Sequence, residues 1–496
     1  MSAPFQVSEF DVAPRPVSRL FAYAGWGAIC TAIAVWFALP AQDATHRLLP
    51  LLPLAFGILL TLTGAIHRYG FRLSVLIAVS FMSARYVVMP LLVVISGSYD
   101  AVGTMQPAPE EMAQAYLLMV YEMACVFAII AWAAPRLFGT SPERLSGSGR
   151  LIPFRSPVLI PAVVVLGCAV AVAFPSVAGN YRVFVQAVGN YDVELLSRSG
   201  GNGYLILWVE WSRLLVCLWA VNALWTAYQR KPRWGLILLS IMAFLPLFVL
   251  SNRTSRNSIL FPSLAGCLLL IRLYPRVKSF FLVGLAVPLV VIVSVVSYEK
   301  NFGNQLLESG MKVGDQIPRF LQGYAAPAHG VAISIETRNS FAGQLLPVRA
   351  FVADSLANIP LAGRLFGVQN DTTTTAFNIA AYGRDLGRDQ VIPMLGQGLY
   401  HWGVMAAPVY SILVTLLALW LDRLAGLERR PEFVFLYYLL LARLAAGPVL
   451  GNWTICLGVL ATLWLPLHCL FALNRKLVLK RSAGRLSTPR TRTLHT

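Results

Sequence analysis

Stretches of about twenty consecutive apolar residues recur along almost the whole chain, and they constrain its fold more than any other feature. A helix of that length crosses roughly 30 Å of hydrocarbon. The runs fall near 20–40, 48–66, 73–96, 115–137, 157–174, 204–228, 235–251, 258–273, 279–298, 396–421, 432–450 and 453–473. With 57% hydrophobic and 12% charged residues, the chain carries more apolar surface than one water-soluble core can hold. The runs are continuous rather than alternating, which excludes a closed barrel and leaves a bundle whose backbone groups are satisfied within each helix. The expected fold is an all-α polytopic membrane protein of about twelve transmembrane helices.

The formal net charge of +18 invites a nucleic-acid reading, but its distribution argues for topology. Basic residues at Arg68 and Arg72, Arg136 to Arg155, Arg230 to Arg233, Arg272 to Lys278, Arg423 to Arg430 and Arg475 to Arg492 fall on alternate connections. The positive-inside rule puts these on the cytoplasmic side together with both termini. The connections at 41–47, 97–113, 175–203, 252–257, 298–390 and Gly451–Asn452 then lie outside. Ala38 to Ala41 faintly resembles a signal cleavage site, but Glu9 and Asp11 ahead of the first run favour a retained anchor. The seven cysteines all fall within expected spans, so no disulfide or metal framework is implied for the outer connections.

The expected organisation is nine helices over 1–297, a large outer loop over 298–390, three helices over 391–474, and a basic cytoplasmic tail over 475–496 that can touch anionic lipid. The loop retains Phe320, Tyr324, Phe341, Phe351, Phe366, Phe377 and Tyr382, so it is read as compact rather than disordered. Helix-like spacing appears over Gly314 to Tyr324 and Leu345 to Leu356, and Leu345 to Val368 is apolar enough to lie in the membrane interface.

Charges inside apolar runs cost several kcal/mol and persist where partners or water await them. Arg85 and Glu122 lie at comparable depth in neighbouring runs and are expected to pair. Glu210 and Arg213 share a helix face, and Arg443 lies within Leu441-Ala-Arg-Leu-Ala-Ala-Gly447. A register-fixing ion pair or a snorkelling arginine accounts for each singly. The hairpin Ser251-Asn-Arg-Thr-Ser-Arg-Asn-Ser258 places Arg253 and Arg256 on the side depleted of positive charge, at the start of a helix. Guanidinium forks and free helix N–H groups suit a phosphate or diphosphate. In the large loop Arg319, Arg338, Arg349, Arg364, Arg384 and Arg388 are further anion ligands, and Glu336, Asp354, Asp371, Asp385 and Asp389, with His329 and His401, are candidate general bases. No metalloprotease, nucleophile-elbow, Walker or paired-aspartate spacing is present, so neither metal nor cofactor is expected.

Three stretches together resemble the bacterial oligosaccharide repeat-unit polymerases, the Wzy-type family that includes O-antigen polymerases. They are Asn252-Arg-Thr-Ser-Arg-Asn-Ser-Ile-Leu-Phe-Pro262, Val391-Ile-Pro-Met-Leu-Gly-Gln-Gly-Leu-Tyr-His-Trp-Gly403, and the run bearing Arg443. The resemblance covers about residues 240 to 455 and rests on degenerate motifs, many spans and one dominant outer loop. It implies a metal-independent membrane glycosyltransferase acting on polyprenyl-diphosphate-linked oligosaccharide at the periplasmic face of the bacterial inner membrane. The implied partners are that lipid-linked substrate, membrane lipid, a chain-length regulator and a flippase, with no nucleic acid. Arg253, Arg256 and Arg443 would neutralise the diphosphate, Arg319 and Arg338 would serve a second site, and the base would be one of His401, Asp371 and Asp389. O-antigen ligases share this architecture but usually carry a His-Asn pattern where this chain has Ala328-His-Gly330. A lipid-linked oligosaccharide flippase is the reading from another class, with Arg85, Arg213 and Arg443 lining its path.

Overall fold

A computed structural model describes residues 15–40, 45–63, 66, 72–97, 105–138, 151–156, 158–178, 181–183, 203–252, 257–277, 328–359, 362–368, 371–383 and 391–486. In chain order the helices are α1 (Arg15–Ala38), α2 (Leu51–Leu62), α3 (Leu73–Ser96), α4 (Pro109–Phe138), α5 (Leu159–Ala173) and α6 (Pro175–Ala178). Strand β1 (Tyr181–Val183) follows, then α7 (Gly203–Arg230), α8 (Trp234–Val249), strand β2 (Leu250–Asn252) and α9 (Asn257–Leu273). The rest of the described chain comprises α10 (Ala328–Ser340), α11 (Pro347–Ala357), α12 (Ala362–Leu365), α13 (Thr373–Tyr382), α14 (Met394–Trp402) and α15 (Val409–Leu427). It ends in α16 (Pro431–Ala445), α17 (Gly447–Leu450), α18 (Trp453–Val459) and α19 (Leu465–Leu486).

Among the described residues, six helices are long and apolar enough to cross a membrane: Arg19–Ala38, Leu73–Ser96, Pro109–Phe138, Leu205–Arg230, Val409–Leu427 and Trp453–Leu479. The chain is a helical membrane protein. Shorter apolar helices occur at Leu51–Leu62, Leu159–Ala173, Trp234–Leu247 and Ile259–Leu273, and the run at 279–298 lies outside the described residues.

Two runs read as single spans are broken. The run at 396–421 divides into α14 and α15, because Gly403 takes a left-handed φ of 78° and Pro408 has no N–H for a continuing helix. The run at 432–450 divides at Ala446 into α16 and α17, with Pro448 in the first turn after the break. Two further helical stretches carry π turns, Ala84–Val88 within α3 and Leu460–Trp464 joining α18 to α19. Pro90 explains the first, since it cannot donate to the preceding turn and its ring would crowd the carbonyl of Tyr86.

The chain folds as two compact units. One comprises residues 1–148, 304–427 and 440–459. Its first two helices touch backbone to backbone, since a Cβ built on Gly57 would lie 2.6 Å from the Gly25 carbonyl oxygen. Phe56 and Phe127 meet edge to face at 5.8 Å. Helix α10, expected within the large loop, shares this core: Ala328, Val331, Ala332 and Ile335 are buried with Met119, Met123, Leu395 and Leu399.

The other unit comprises residues 149–303, 428–439 and 460–496. Here α7 packs on α5 through Gly167, where a Cβ would fall 2.5 Å from the Ser212 Cβ. The Asn222 amide donates to the Phe154 carbonyl at 3.0 Å and accepts from its N–H at 3.2 Å. Strands β1 and β2 pair antiparallel, Tyr181 opposite Asn252 and Val183 opposite Leu250.

Candidate functional site

Among the described residues, a tight grouping of chemistry-bearing side chains lies in the first unit, around α14. Eight consecutive residues of this helix, Met394 to His401, are buried. Its glycines make that possible. A Cβ on Gly396 would meet Ser334 Cβ at 2.5 Å, and one on Gly398 would reach the Ala407 carbonyl carbon at 3.0 Å and its oxygen sooner. The helix is thereby pressed against α10 on one side and the turn after Gly403 on the other, and Gln397 and His401, four residues apart, share a face.

That face meets Asp354. Helix α11 begins at Pro347, a residue suited to the first helical turn, and buries Ala350, Ala353 and Asp354 on one side. The Asp354 carboxylate accepts the Thr373 N–H at 3.1 Å, the Thr373 hydroxyl, and the Gln397 amide at 2.7 Å. Thr373 opens α13, whose N-cap Thr372 accepts the Thr375 N–H at 3.1 Å. A helix N-terminus thus faces the buried carboxylate, and its free N–H groups are donors for it.

His401 completes the cluster. Its Nε2 lies 3.1 Å from Asp354 Oδ2, close enough for ion pairing but poorly aligned for a hydrogen bond, and Nδ1 lies 2.7 Å from the Tyr410 hydroxyl. Catalytic hydrogen bonds commonly align only when substrate is bound. With the imidazole proton on Nε2 toward the carboxylate, Nδ1 accepts from Tyr410, and the three residues form a chain for proton movement. Tyr410 stacks on Trp453, rings 4.8 Å apart, and the Trp453 backbone N–H donates to the Gln397 side-chain Oε1 at 2.8 Å. Gln397 also donates to the Thr454 hydroxyl at 2.8 Å, and Asn452 caps α18 through the Ile455 N–H at 2.9 Å. The Asn452-Trp-Thr454 triplet is thus a helix start packed against the cluster.

A second buried network begins one residue along α15. The Ser411 hydroxyl donates to Glu122 Oε1, and Glu122 Oε2 accepts from Arg85 Nη1 and from the Tyr86 hydroxyl, each at 3.0 Å. Arg85 also donates to the Pro448 carbonyl at 2.9 Å. The structure therefore joins Arg85 to Glu122, with the guanidinium presented by the π turn and the carbonyl supplied by broken α17.

Among the expected bases, Asp371 stands apart from His401. Its Oδ2 accepts from Arg349 Nε at 2.9 Å and Nη2 at 2.7 Å, in a solvent-facing ion pair. Asp389, Arg253, Arg256 and Arg319 lie outside the described residues. Arg338 reaches the α14 terminus, its Nη2 3.5 Å from where a Gly403 Cβ would be. Arg443 is buried one turn before the break at Ala446. In the second unit, Arg213 donates to Glu210 at 2.6 Å and to the carbonyl of Leu250, the first residue of β2.

Thr373, Gln397 and Tyr410 were not singled out as site residues from sequence, and Asp354 stood there only as one candidate base among several. Their signals were an aspartate at a core-facing helical position and a glutamine between two glycines of an apolar run. Comparison with protein-family models, curated proteins and solved structures gave no match to this chain.

Proposed function

We propose that this protein is a bacterial inner-membrane glycosyltransferase that polymerises polyprenyl-diphosphate-linked oligosaccharide repeat units into a surface polysaccharide. In this reading the bundle has twelve spans, both termini are cytoplasmic, and the 298–390 segment with α14 faces the periplasm. The observation that carries it is the contact of His401 with Asp354 and Tyr410, because it falls within the Val391–Gly403 stretch on which the polymerase resemblance rests. His401, supported by Asp354, takes through the Tyr410 hydroxyl the proton of an acceptor sugar hydroxyl. The acceptor oxygen bonds to the anomeric carbon of the growing chain as the bond to diphosphate breaks. Arg253, Arg256 and Arg443 hold the departing diphosphate, with Arg319 and Arg338 at a second site. A flippase would need unpaired intramembrane cations along its path, whereas Arg85 and Arg213 each carry a carboxylate partner within their own unit.

The test is gel analysis of surface polysaccharide from a strain lacking the chain, with lipid-linked intermediates extracted in parallel. Loss of the polymer ladder, with a single-repeat band and outward-facing lipid-linked single units remaining, is expected. Full-length polymer stranded on its lipid would instead indicate a ligase, single units trapped on the cytoplasmic face would indicate a flippase, and an unchanged ladder would end the proposal. Arg253→Ala with Arg256→Ala should abolish polymer while insertion is normal; wild-type polymer would remove the diphosphate role from that turn.

A further inference from the structure

Helix α11 is built inside out for a segment bathed in water. Its carboxylate, Asp354, is fully buried, while Val348 is 73% exposed and Val352 42% exposed on the opposite side. The flanking residues continue the pattern, with Leu346 62%, Leu365 79% and Phe366 68% exposed. Soluble surfaces rarely carry so dense an apolar patch, and where one occurs it marks contact with protein or membrane.

Continuity identifies which. Leu117 and Tyr121, one turn apart on the membrane-spanning helix α4, expose their side chains on the same face. The Tyr121 hydroxyl donates to the Met405 carbonyl at 2.8 Å, and Met405 itself is 88% exposed in the turn after α14. At the end of α14, half-exposed Trp402 meets Phe351 of α11 with rings 5.2 Å apart. The lipid-facing surface of α4 therefore runs through the α14 break to α11. The one cation on the exposed side of α11, Arg349, is neutralised by Asp371 and placed as an interfacial arginine would be.

We propose that the face made by Leu346, Val348 and Val352, with Leu365 and Phe366, is a membrane-contact surface covered by lipid chains. The segment dips into the bilayer beside the His401 cluster, and a lipid-linked ligand reaches that cluster sideways from the membrane. The lipid contact stands whether or not the protein transfers sugars.

The test places a nitroxide at Val348→Cys, Val352→Cys and Leu365→Cys, one at a time, with the exposed Cys30, Cys168 and Cys469 changed to Ser. The protein is held in nanodiscs of phosphatidylethanolamine and phosphatidylglycerol. Collision rates with oxygen, which concentrates in lipid, are compared with those of a water-soluble nickel chelate, using Leu117→Cys as the lipid reference. An oxygen-to-nickel ratio within about twofold of that reference is expected. Dominant nickel collisions would place the face in water, and shielding from both with dipolar broadening would place a second copy of the chain over it; either overturns the proposal. Wild-type protein exposed to lipid with a photoactivatable acyl chain should carry adducts within residues 346–366, and their absence would equally overturn it.

Discussion

Asp354 Oδ2 stands 3.1 Å from His401 Nε2, with both side chains sealed from solvent. The two residues come from different helices and are 47 positions apart (401 − 354), so only the packing of α11 on α14 joins them. Exchanging Asp354→Asn keeps the size of the side chain and removes the charge that would stabilise a protonated imidazole. Polymer formation should fall by about 100-fold at unchanged membrane level. His401→Gln should lose as much, and the double variant little more, because residues acting as one unit are not additive. Polymer length by gel beside an immunoblot of the protein checks this; undiminished polymer in Asp354→Asn would take the pair out of the chemistry.

Tyr410→Phe separates the hydroxyl from the ring. The stack on Trp453 survives, and loss of one hydrogen bond costs about 1 kcal/mol of stability. If the hydroxyl passes a proton to His401, turnover should drop by about tenfold or more while the thermal midpoint moves little. Normal turnover would show that His401 does not work through Tyr410.

Gly398→Ala tests the packing that sets the cluster. The new methyl would run into the Ala407 backbone, which cannot move aside as a flexible side chain could. A loss of about 1–3 kcal/mol, with lowered thermal midpoint and protein level, is the expected result. Gly426→Ala, where a Cβ would meet open space, is the matched control and should be silent.

Arg85→Ala strands Glu122 in the core with only the Tyr86 and Ser411 hydroxyls as partners. Removing one member of a buried pair costs about 3–5 kcal/mol, so the protein should become scarce in the membrane. Arg85→Met with Glu122→Gln removes both charges and should recover much of that loss. A normally abundant but inactive Arg85→Ala would show instead that the cation serves the reaction.

Glu336, on α10, has its carboxyl pushed above the ordinary glutamate value, first by burial and then by Glu111. Ionising it therefore costs the folded state more than the unfolded one. The penalty is absent below the ordinary value of 4.5, grows as pH rises, and is complete above the raised value. Glu336→Gln should raise the thermal midpoint at about pH 7 and lose that advantage at about pH 4. A gain equal at both would assign the effect to packing rather than charge.

Hydrophobic run length alone determined that this chain is a helical membrane protein, because a backbone in hydrocarbon must satisfy its own hydrogen bonds and the helix does so locally. The same local logic located Arg85 and Glu122 as mates, since neither charge could stay alone in an apolar run. What sequence did not reveal was where helices stop for reasons of fit. Gly403 and Ala446 break two apolar runs that hydropathy reads as continuous, and the breaks turn Gln397, His401 and Trp453 toward a common centre. Nor did it pair His401 with Asp354 rather than Asp371, although each is a plausible carboxylate by composition. That choice depends on which side of α11 is buried, and only the tertiary packing of α11, α13 and α14 settles it, by closing Asp354 in among donors and leaving Asp371 at the surface with Arg349.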